Sequence, residues 1–386
     1  MNENRPPAPV LKNIYGWQAG APWDAAIIIP ARDESARIEA CLHAVADAIE
    51  QSQMTAGVVL CVNDTQDDTA KKAASVLQER RLGNLIVDLR FPSGTGGVGR
   101  ARDLGCRLSQ RMTNAPEILL TTDADSRVKP DWVTANLAEL SSADIVFGTI
   151  VPDPAELAQL APHLAKHGTI EEDYRSAAIR LANRLDPLPH DPDPNHRTPS
   201  GASIALSAEA LRRLGGIPWH QVSEDRELAL QAEALDLRIR HASRPEVITS
   251  CRLNGRTAGG MASTLQERCV AIDPYCDPWL ERAHALATRY RAKGELRAVW
   301  PNAEECRRIA QRLLGAGPVP HAENYYTFGR FWQALENTHP GLKRMPIRHS
   351  DAARELPSLR CHMDGNLLSL PAHRFSRREQ ELDFRR

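Results

Sequence analysis

The sequence lacks the features that would place the chain in a membrane, in the secretory route or on nucleic acid. Its longest apolar run of note, residues 25–30, is about a third of the roughly 20 residues that a membrane-spanning helix needs. The start, MNENRPPAP, is polar and proline-rich and does not resemble a signal peptide. An excess of charge of one sign is also absent, because 48 Lys and Arg nearly balance 49 Asp and Glu. We therefore expect no integral membrane segment and no nucleic-acid partner.

Cysteine patterns that indicate disulfides or a zinc site are absent as well. None of the eight cysteines forms a C-x-x-C pair, and several lie in segments with periodic apolar residues. This usage favours buried free thiols in a reducing compartment. With 386 residues, 42% of them apolar, the chain is expected to be a cytoplasmic globular enzyme of two or three domains.

Predicted strands and helices alternate regularly through the first part of the chain. Continuous apolar runs predict buried strands, and spacings of three and four between apolar residues predict the helices that follow them. The strands are predicted at 25–29, 58–62, 85–89, 118–121 and 144–150. This alternation indicates an α/β fold with a mostly parallel sheet and helices on both faces. In such sheets the ligand binds beyond the carboxyl ends of the strands.

The rest of the chain is expected to be more helical. A helix broken near Pro162, a proline-rich stretch at 186–199 and further strands at 202–206, 237–241 and 247–251 precede a helical C-terminal extension. We divide the chain into a flexible N-terminal segment, a catalytic domain with nucleotide-binding and acceptor-binding halves, a helical region and an Arg-rich tail. Their predicted bounds are 1–24, 25–260 (halves 25–150 and 151–260), 261–370 and 371–386.

Acids and amides follow the predicted strands. Asp33 follows the first strand, Asn63 ends the second, and the pair Asp123 and Asp125 ends the fourth. Alternate residues at a strand end point the same way, roughly 6–7 Å apart. Two carboxylates so placed can share a Mg²⁺ or Mn²⁺ ion and a ribose hydroxyl, and the cation can neutralise a diphosphate. We therefore predict a metal-dependent nucleotide site at this edge of the sheet.

The glycine loop after the third strand supports two interpretations. Its exposed backbone N–H groups, together with Arg100 and Arg102, could form a cradle for a diphosphate. Alternatively, Gly94–Gly99 (GTGGVG) fits the dinucleotide fingerprint of an NAD(P)-dependent oxidoreductase. Three residues separate the strand from the first glycine, whereas the fingerprint turn follows its strand directly. The second interpretation also leaves Asp33, Asn63 and Asp125 without a role.

Ser223–Arg226 (SEDR) opens a predicted helix in the second half. The helix N-terminus favours the ionised form of a carboxylate there, whereas adjacent Glu224 opposes it. An ionised Asp225 facing the pocket could serve as a general base toward a hydroxyl nucleophile. On spacing alone, the ordinary preference of acids for a first helical turn explains these residues equally well.

Six segments in a fixed order carry a resemblance to a known family: IIIPARDES, VVLCVNDTQDDT, GVGRARDLG, LLTTDADS, PSGASIALSAEALRRLGGI and SEDREL. Together they resemble the family 2 glycosyltransferases of the GT-A fold, which use nucleotide sugars. The resemblance covers about residues 25–260. It implies a Rossmann-like GT-A sheet, a nucleoside-diphosphate sugar as donor and a divalent cation as cofactor.

The resemblance also implies roles for individual residues. On the donor side it assigns the nucleoside pocket and its surroundings to Pro30, Ala31, Asp33, Asn63 and Arg102. It implies that Asp123 contacts ribose or metal and that Asp125 binds the metal. On the acceptor side it implies a floor of Gly201, Ala202 and Ser203 beside Glu224, with Asp225 as catalytic base of an inverting displacement.

Departures from the family pattern limit these implications. Asn63 stands where many relatives have Asp, which leaves the base of the nucleotide open. The Gln-x-x-Arg-Trp motif and membrane helices of processive synthases are absent. We therefore expect one sugar to be transferred to a small or carrier-bound hydroxyl acceptor. The inverting mechanism rests largely on Asp225.

Two later segments have alternative interpretations. Arg256 lies in a glycine-containing loop after the last strand, where it could close over the diphosphate or remain a solvated surface residue. Five aromatic residues cluster between Tyr325 and Trp332. They could dock a helix on the catalytic domain, or form an acceptor pocket or a homodimer contact. A non-catalytic nucleotide-sugar-binding protein is the third functional hypothesis, beside the transferase and the oxidoreductase.

Overall fold

A nine-stranded sheet forms the centre of the computed structural model, which describes residues 7–17, 22–111, 115–160, 162–220, 223–255 and 260–363. The strands are β1 (Val10–Trp17), β2 (Ala25–Ala31), β3 (Ala56–Asn63), β4 (Gly83–Arg90), β5 (Ile118–Thr121), β6 (Ser126–Val128), β7 (Ile145–Pro152), β8 (Ile204–Ser207) and β9 (Ile239–Thr249). They lie in the order β1-β4-β3-β2-β5-β8-β7-β9-β6. The first five strands in sequence therefore build one side of the sheet, and the last four build the other.

Parallel pairing dominates the side built by the first half of the chain. β4, β3, β2 and β5 are parallel neighbours, and β7 pairs in parallel with β9. β2 and β3 are buried along their whole length, as apolar strands covered on both faces should be. Antiparallel pairs join β1 to β4, β5 to β8, β8 to β7 and β9 to β6. The predicted α/β class is confirmed. The antiparallel pairs flank the parallel group β4-β3-β2-β5 on both sides and recur at β8–β7 and β9–β6.

Helices cover both faces of this sheet. Those preceding the C-terminal region are α1 (Ile38–Ser52), α2 (Thr69–Glu79), α3 (Val98–Ser109), α4 (Trp132–Leu140), α5 (Pro154–Leu157), α6 (Pro162–Leu185), α7 (Ala208–Leu214) and α8 (Glu224–Ala234). α1, α2 and α4 share one apolar core with alternate residues of β2, whereas α3, α7 and α8 share the other. The apolar faces predicted from periodicity in α1 and α2 are buried in the first core.

The N-terminal segment differs from the prediction. Val10–Trp17 do not form a flexible extension, because they pair antiparallel with β4 as the edge strand β1. Trp23 is buried, and its ring fills the space above Gly57 and Gly83, where a Cβ would lie within 3 Å of it. The strand escaped prediction because Val10, Leu11 and Ile14 remain at least half exposed, so no buried periodic pattern marks it.

The C-terminal region consists of α9 (Met261–Val270), α10 (Ala283–Val299), α11 (Ala303–Leu314), α12 (Phe328–Thr338), α13 (His349–Met363) and the 3₁₀ helices Ala322–Asn324 and Pro340–Leu342. α6, which we expected in the acceptor-binding half, packs with α10 and α13 around Tyr174 and Leu286. Among the described residues, no helix has the length and apolar character that crossing a bilayer requires.

The aromatic cluster lies inside this C-terminal region. Phe328, Phe331 and Trp332 are buried against residues of α10 and α11, with Tyr325 packed beside them. Only Tyr326 of the cluster is fully exposed. Helix docking therefore accounts for the clustering of these aromatic residues.

The proline-rich stretch 186–199 is held against β9 by a buried carboxylate. Asp191 is 2% exposed and accepts hydrogen bonds from the backbone and the ring of His241, both at 2.9 Å. Arg240 contacts the same carboxylate at 3.2 Å. Burial opposes ionisation of Asp191, but the hydrogen bond from His241 lowers its pKa to about 2. Irregular backbone is thus fixed here by charge and hydrogen bonding rather than by secondary structure.

Candidate active site

Hydrogen bonds made by Asp33 and Asp64 join the three chain segments that follow β2, β3 and β4. Asp33 Oδ1 accepts from the backbone N–H of Gln66 at 2.8 Å, and the Asp33 N–H donates to Thr65 Oγ1 at 3.2 Å. Asp64 Oδ1 accepts from the N–H of Phe91 at 3.0 Å, and Asp64 Oδ2 accepts from Asn63 at 3.3 Å. The structure therefore brings Asp33 and Asn63 to the same edge, as the strand order predicts.

Pro30 and Ala31 end β2 directly before this network. Both are buried within the strand, and Ala31 lies opposite Val62 of β3. Asp33 then adopts a left-handed conformation with φ of 51°, which turns the chain toward α1. The nucleoside-pocket assignment of Pro30, Ala31, Asp33 and Asn63 remains a prediction, now with all four on neighbouring strand ends.

Arg102 connects the strand-end acids to the second half of the chain. Its guanidinium donates to Asp123 Oδ1 at 2.8 Å and to Glu224 Oε1 at 3.2 Å. It also donates to the backbone oxygen of Gly201 at 2.8 Å and to the hydroxyl of Thr121. Burial opposes its charge, but the carboxylates of Asp123 and Glu224 raise the pKa of Arg102. Because Arg102 is 0% exposed, it positions these groups rather than presenting its guanidinium to a diphosphate.

Asp225 stands beside this junction at the start of α8. Its Oδ2 accepts from the backbone N–H of Gly201 at 3.0 Å, and its Oδ1 accepts from the N–H of Arg226 at 2.7 Å. Burial raises the pKa of Asp225, while these two backbone N–H groups oppose the increase. The residue remains partly exposed. A partly exposed carboxylate with a raised pKa has the properties of a general base.

The acceptor-side residues differ in what they expose. A Cβ on Gly201 would lie 2.7 Å from Arg102 Nη2, so the close approach of the two segments requires glycine. Ala202 and Ser203 are buried beneath it, and the Ser203 hydroxyl accepts from Trp132 Nε1 at 2.9 Å. Burial raises the pKa of Glu224, whose carboxylate is paired with Arg102. Ser203 and Glu224 are therefore buried and paired within the protein, and the acceptor-side role of these four residues stays a prediction.

Asp125 has a partner that sequence reasoning missed. Arg252, just after β9, places its Nη2 3.0 Å from Asp125 Oδ2. The same guanidinium pairs in two places with Glu34, including an Nη1–Oε2 contact of 2.7 Å. Glu34 and Arg252 each follow the end of a strand, and this position is the sequence signal that could have identified them as site residues. Their pairing spans 218 positions, so no local spacing reveals it.

The electrostatics of Asp125 suit a divalent cation. Burial and the neighbouring charges of Asp123 and Glu34 raise the pKa of Asp125 to about 7, although Arg252 opposes the increase. A bound cation would supply the positive charge that the ionised carboxylate lacks, and carboxylate oxygens are ligands that Mg²⁺ and Mn²⁺ prefer. Asp123 and Asp125 therefore fit such an ion.

A cavity of about 320 Å³ opens beside Asp125, between the start of α1, β6 and the end of β9. Its volume is at the small end of the range for ligand pockets. The other charges lining it are paired, Arg37 with Glu156 at 3.0 Å and Arg127 with Asp153 at 2.7 Å. Asp125 therefore lines an open space while its carboxylate contacts Arg252.

Arg100 lies away from the acids. Its guanidinium stacks over Phe91 and Trp219, at 4.6 and 5.4 Å from the ring centroids, and donates to the backbone oxygens of Thr95 and Pro7. Burial lowers the pKa of Arg100. These contacts tie the glycine loop to the N-terminal segment, so they give Arg100 a structural explanation. Arg256, the other arginine expected near the diphosphate, lies outside the described residues.

Two glycines of the loop, Gly96 and Gly99, lie close to other parts of the chain. A Cβ on Gly99 would lie 2.4 Å from the backbone oxygen of Pro218 and 2.9 Å from Cβ of Glu224. One on Gly96 would lie 2.8 Å from Asp64 Oδ2. These glycines permit close contact with the protein's own chain, which explains them without a bound pyrophosphate.

A second cluster of potential metal ligands lies in the C-terminal region. Glu171, Cys276 and His349 are the one group of three such residues within mutual reach among the described residues. The Glu171 carboxylate is already paired with Arg175 at 2.9 Å and Arg268 at 3.0 Å. These guanidinium groups disfavour a further cation, so we interpret the cluster as structural.

Part of the chain is similar to a known protein family. Residues 26–196 match glycosyl transferase family 2. No curated protein sequence matches the chain. Among solved structures, the chain resembles TarS 1–349 of S. aureus in complex with UDP-GlcNAc, with 14% identity, 76% of this chain and 72% of that chain covered, and a TM-score of 0.44.

Two further solved structures are similar at the same level. The mannosyltransferase PcManGT of Pyrobaculum calidifontis, in complex with GDP-Man and Mn²⁺, is 15% identical over 92% of this chain and 90% of that chain, with a TM-score of 0.43. Glucosyl-3-phosphoglycerate synthase of Mycobacterium tuberculosis, with Mn²⁺, UDP and phosphoglyceric acid, is 16% identical over 67% and 87%, with a TM-score of 0.38. Because these structures are so distantly similar, the likeness to glycosyl transferase family 2 rests on the match over residues 26–196 alone.

Proposed function

We propose, from the match of residues 26–196 to glycosyl transferase family 2, that the chain moves one sugar from a nucleoside-diphosphate sugar to a hydroxyl acceptor. The observation that carries the proposal is the buried junction at Arg102. One guanidinium contacts Asp123 of the donor side and both Gly201 and Glu224 of the acceptor side. Donor and acceptor groups are thereby held in one fixed arrangement, as a transfer between two bound substrates requires.

On the donor side, the proposed nucleoside pocket consists of the strand ends at Pro30, Ala31, Asp33 and Asn63. Asp123 and Asp125 would hold a Mg²⁺ or Mn²⁺ ion, which supplies positive charge to the departing diphosphate when bound. The raised pKa of Asp125 supports this assignment, because burial and the charge of Asp123 both disfavour its ionised form and a bound cation would favour it. Charge on the leaving group develops during the reaction, so positive charge there stabilises the transition state more than the ground state.

On the acceptor side, Asp225 is proposed as the general base. The N–H groups of Gly201 and Arg226 fix its carboxylate, and burial raises its pKa. Asp225 takes the proton of the acceptor hydroxyl as that oxygen bonds to the anomeric carbon. The bond from this carbon to the diphosphate oxygen breaks at the same time, and attack from the opposite face inverts the configuration.

The proposed boundaries keep 25–260 as the catalytic domain and 261–370 as a helical region, with α6 attached to the latter through the core around Tyr174. A small or carrier-bound acceptor fits transfer of a single sugar. All eight cysteines are free and six of them are buried, which supports a reducing, cytoplasmic location.

Calorimetric titration of the full chain with nucleoside-diphosphate sugars, with and without Mn²⁺ or Mg²⁺, tests the proposal. We expect metal-dependent binding of one class of donor, followed by its slow hydrolysis in the absence of acceptor. Binding of NAD(P) in place of nucleotide sugars would support the oxidoreductase hypothesis instead. Donor binding without any hydrolysis or transfer would indicate a non-catalytic binding protein.

A further inference from the structure

Arg252 places a positive charge where the proposed cation would bind. Its Nη2 atom lies 3.0 Å from Asp125 Oδ2, and the Asp125 side chain is 18% exposed. Arg252 itself is 16% exposed at its side chain. A contact at this depth is much less weakened by solvent than a surface ion pair.

Glu34 keeps the guanidinium in place. The Glu34 side chain is 7% exposed, and its carboxylate accepts hydrogen bonds from both terminal nitrogens of Arg252. The Glu34 backbone is fixed in turn by a hydrogen bond from its N–H to Thr69 Oγ1 at 2.8 Å. A bidentate pair of this kind holds Arg252 more firmly than the single contact to Asp125 does. Arg252 can therefore leave Asp125 without leaving Glu34.

A divalent cation bound at Asp125 Oδ2 would lie within a few ångströms of the Arg252 guanidinium, and like charges that close repel each other strongly. Asp125 Oδ2 already accepts the guanidinium of Arg252, whereas Asp123 is paired through Oδ1 with Arg102. Arg37 also lines the cavity beside Asp125, but its described partner is Glu156. Among the described residues, Arg252 is thus the basic group in direct contact with Asp125.

We propose that Arg252 is the counter-ion of Asp125 in the donor-free protein and competes with the divalent cation for that carboxylate. The inference rests on the metal site of the proposed function and adds its regulation. When the cation binds, Arg252 moves off Asp125 and remains bound to Glu34. Cation binding without donor is therefore weakened by the protein's own guanidinium.

Mn²⁺ binding to the full chain without nucleotide, measured by electron paramagnetic resonance, tests this competition. Arg252→Ala should bind Mn²⁺ roughly tenfold more tightly than the wild type, because the competing charge is gone. Arg252→Lys, which keeps the charge, should lie much closer to the wild type. Arg37→Ala is the matched control and should change the affinity less than about threefold, because that arginine contacts Glu156 rather than Asp125.

Equal or weaker Mn²⁺ binding by Arg252→Ala would overturn the competition, and so would an equal gain in Arg37→Ala. Arg252→Gln carries the same expectation if the alanine variant does not fold, because the amide can still donate to Glu34. If neither the wild type nor the Arg252 variants bind Mn²⁺, the metal site fails and the competition fails with it. Binding that is unchanged in Asp125→Ala would place the metal elsewhere, with the same consequence.

Discussion

Two carboxylates, the partly buried Asp125 and the buried Glu171, lie in different parts of the molecule and have opposite surroundings. Burial and the charges of Asp123 and Glu34 raise the pKa of Asp125 to about 7. Burial also opposes ionisation of Glu171, but the hydrogen bond with His349 and the charges of Arg268 and Arg175 lower its pKa to about 2. At Asp125 the contact with Arg252 does not offset burial and the charges of Asp123 and Glu34, whereas at Glu171 the partners more than offset burial.

This difference separates a site from a structural network. Glu171 joins α6, α9 and α13 through Arg175, Arg268 and His349, and it accepts from the N–H of Asp277 at 3.0 Å. Such a hub stabilises the packing of helices and has no remaining demand for a ligand. Around Asp125, burial and the charges of Asp123 and Glu34 outweigh the contact with Arg252, so its ionised carboxylate costs stability unless a bound ligand supplies positive charge.

The largest expected effect is a loss of turnover when the proposed general base, Asp225, is replaced. Asp225→Asn should lower kcat by roughly 10³-fold while donor affinity stays within about twofold, because only proton removal is lost. Steady-state kinetics and donor titration check this. Glu227→Gln, on the same helix, is the control and should retain wild-type kcat. Parallel loss of donor binding and turnover in the Asp225 variant would remove its role as base.

Breaking the structural hub should mainly affect folding. Glu171→Gln should lower the free energy of unfolding by about 3 kcal/mol, because Arg175, Arg268 and His349 lose their shared carboxylate. The neighbouring Glu172→Gln, whose side chain is 66% exposed, is the control with little expected change. Urea unfolding measures both.

The same hub sets a pH dependence. The pKa of Glu171 is lower in the folded protein, at about 2, than in the unfolded chain, whose ordinary value is 4.5. Its contribution to stability is therefore present above about pH 4.5 and is lost as the pH falls toward about 2. A Glu171→Gln variant that retains the wild-type loss of stability in this window would contradict the comparison.

Removing Asp125 should affect ligand binding. Asp125→Ala should weaken metal-dependent donor binding about 100-fold, because the proposed cation loses a carboxylate ligand. Glu171→Gln should leave that binding unchanged wherever it is folded. Titration of both variants with donor and Mn²⁺ makes the contrast direct, and unchanged donor binding in Asp125→Ala would remove Asp125 as a ligand.

The smallest effect concerns stability at the site itself. The pKa of Asp125 is raised from 3.8 to about 7 in the folded protein, so its ionisation lowers stability as the pH rises across that interval. In chelator at pH 8, Asp125→Asn should therefore be more stable than the wild type by about 1–2 kcal/mol. Thermal unfolding at pH 5 and pH 8 tests it, since the gain should shrink at the lower pH.

Much of the first half of the sheet follows from local patterns. The apolar runs predicted β2, β3 and β4 to within a few residues, and the acids at their ends came together as the parallel arrangement requires. The family resemblance drawn from motif order is confirmed by the match over 26–196. β1 and the attachment of α6 to the C-terminal helices were not predicted, because neither depends on a local signal.

What the sequence by itself determined is which residue types stand at the strand ends, since periodicity marks each strand and the next residues in the chain follow it. The tertiary structure decided which of these charges meet. Arg252 reaches Glu34 across 218 positions, and Arg102 reaches Glu224 across 122. Such pairings depend on strand order and on burial, which raises the energetic importance of every charge that lacks a partner. The placement of Arg252 on Asp125 is accordingly a property of the fold.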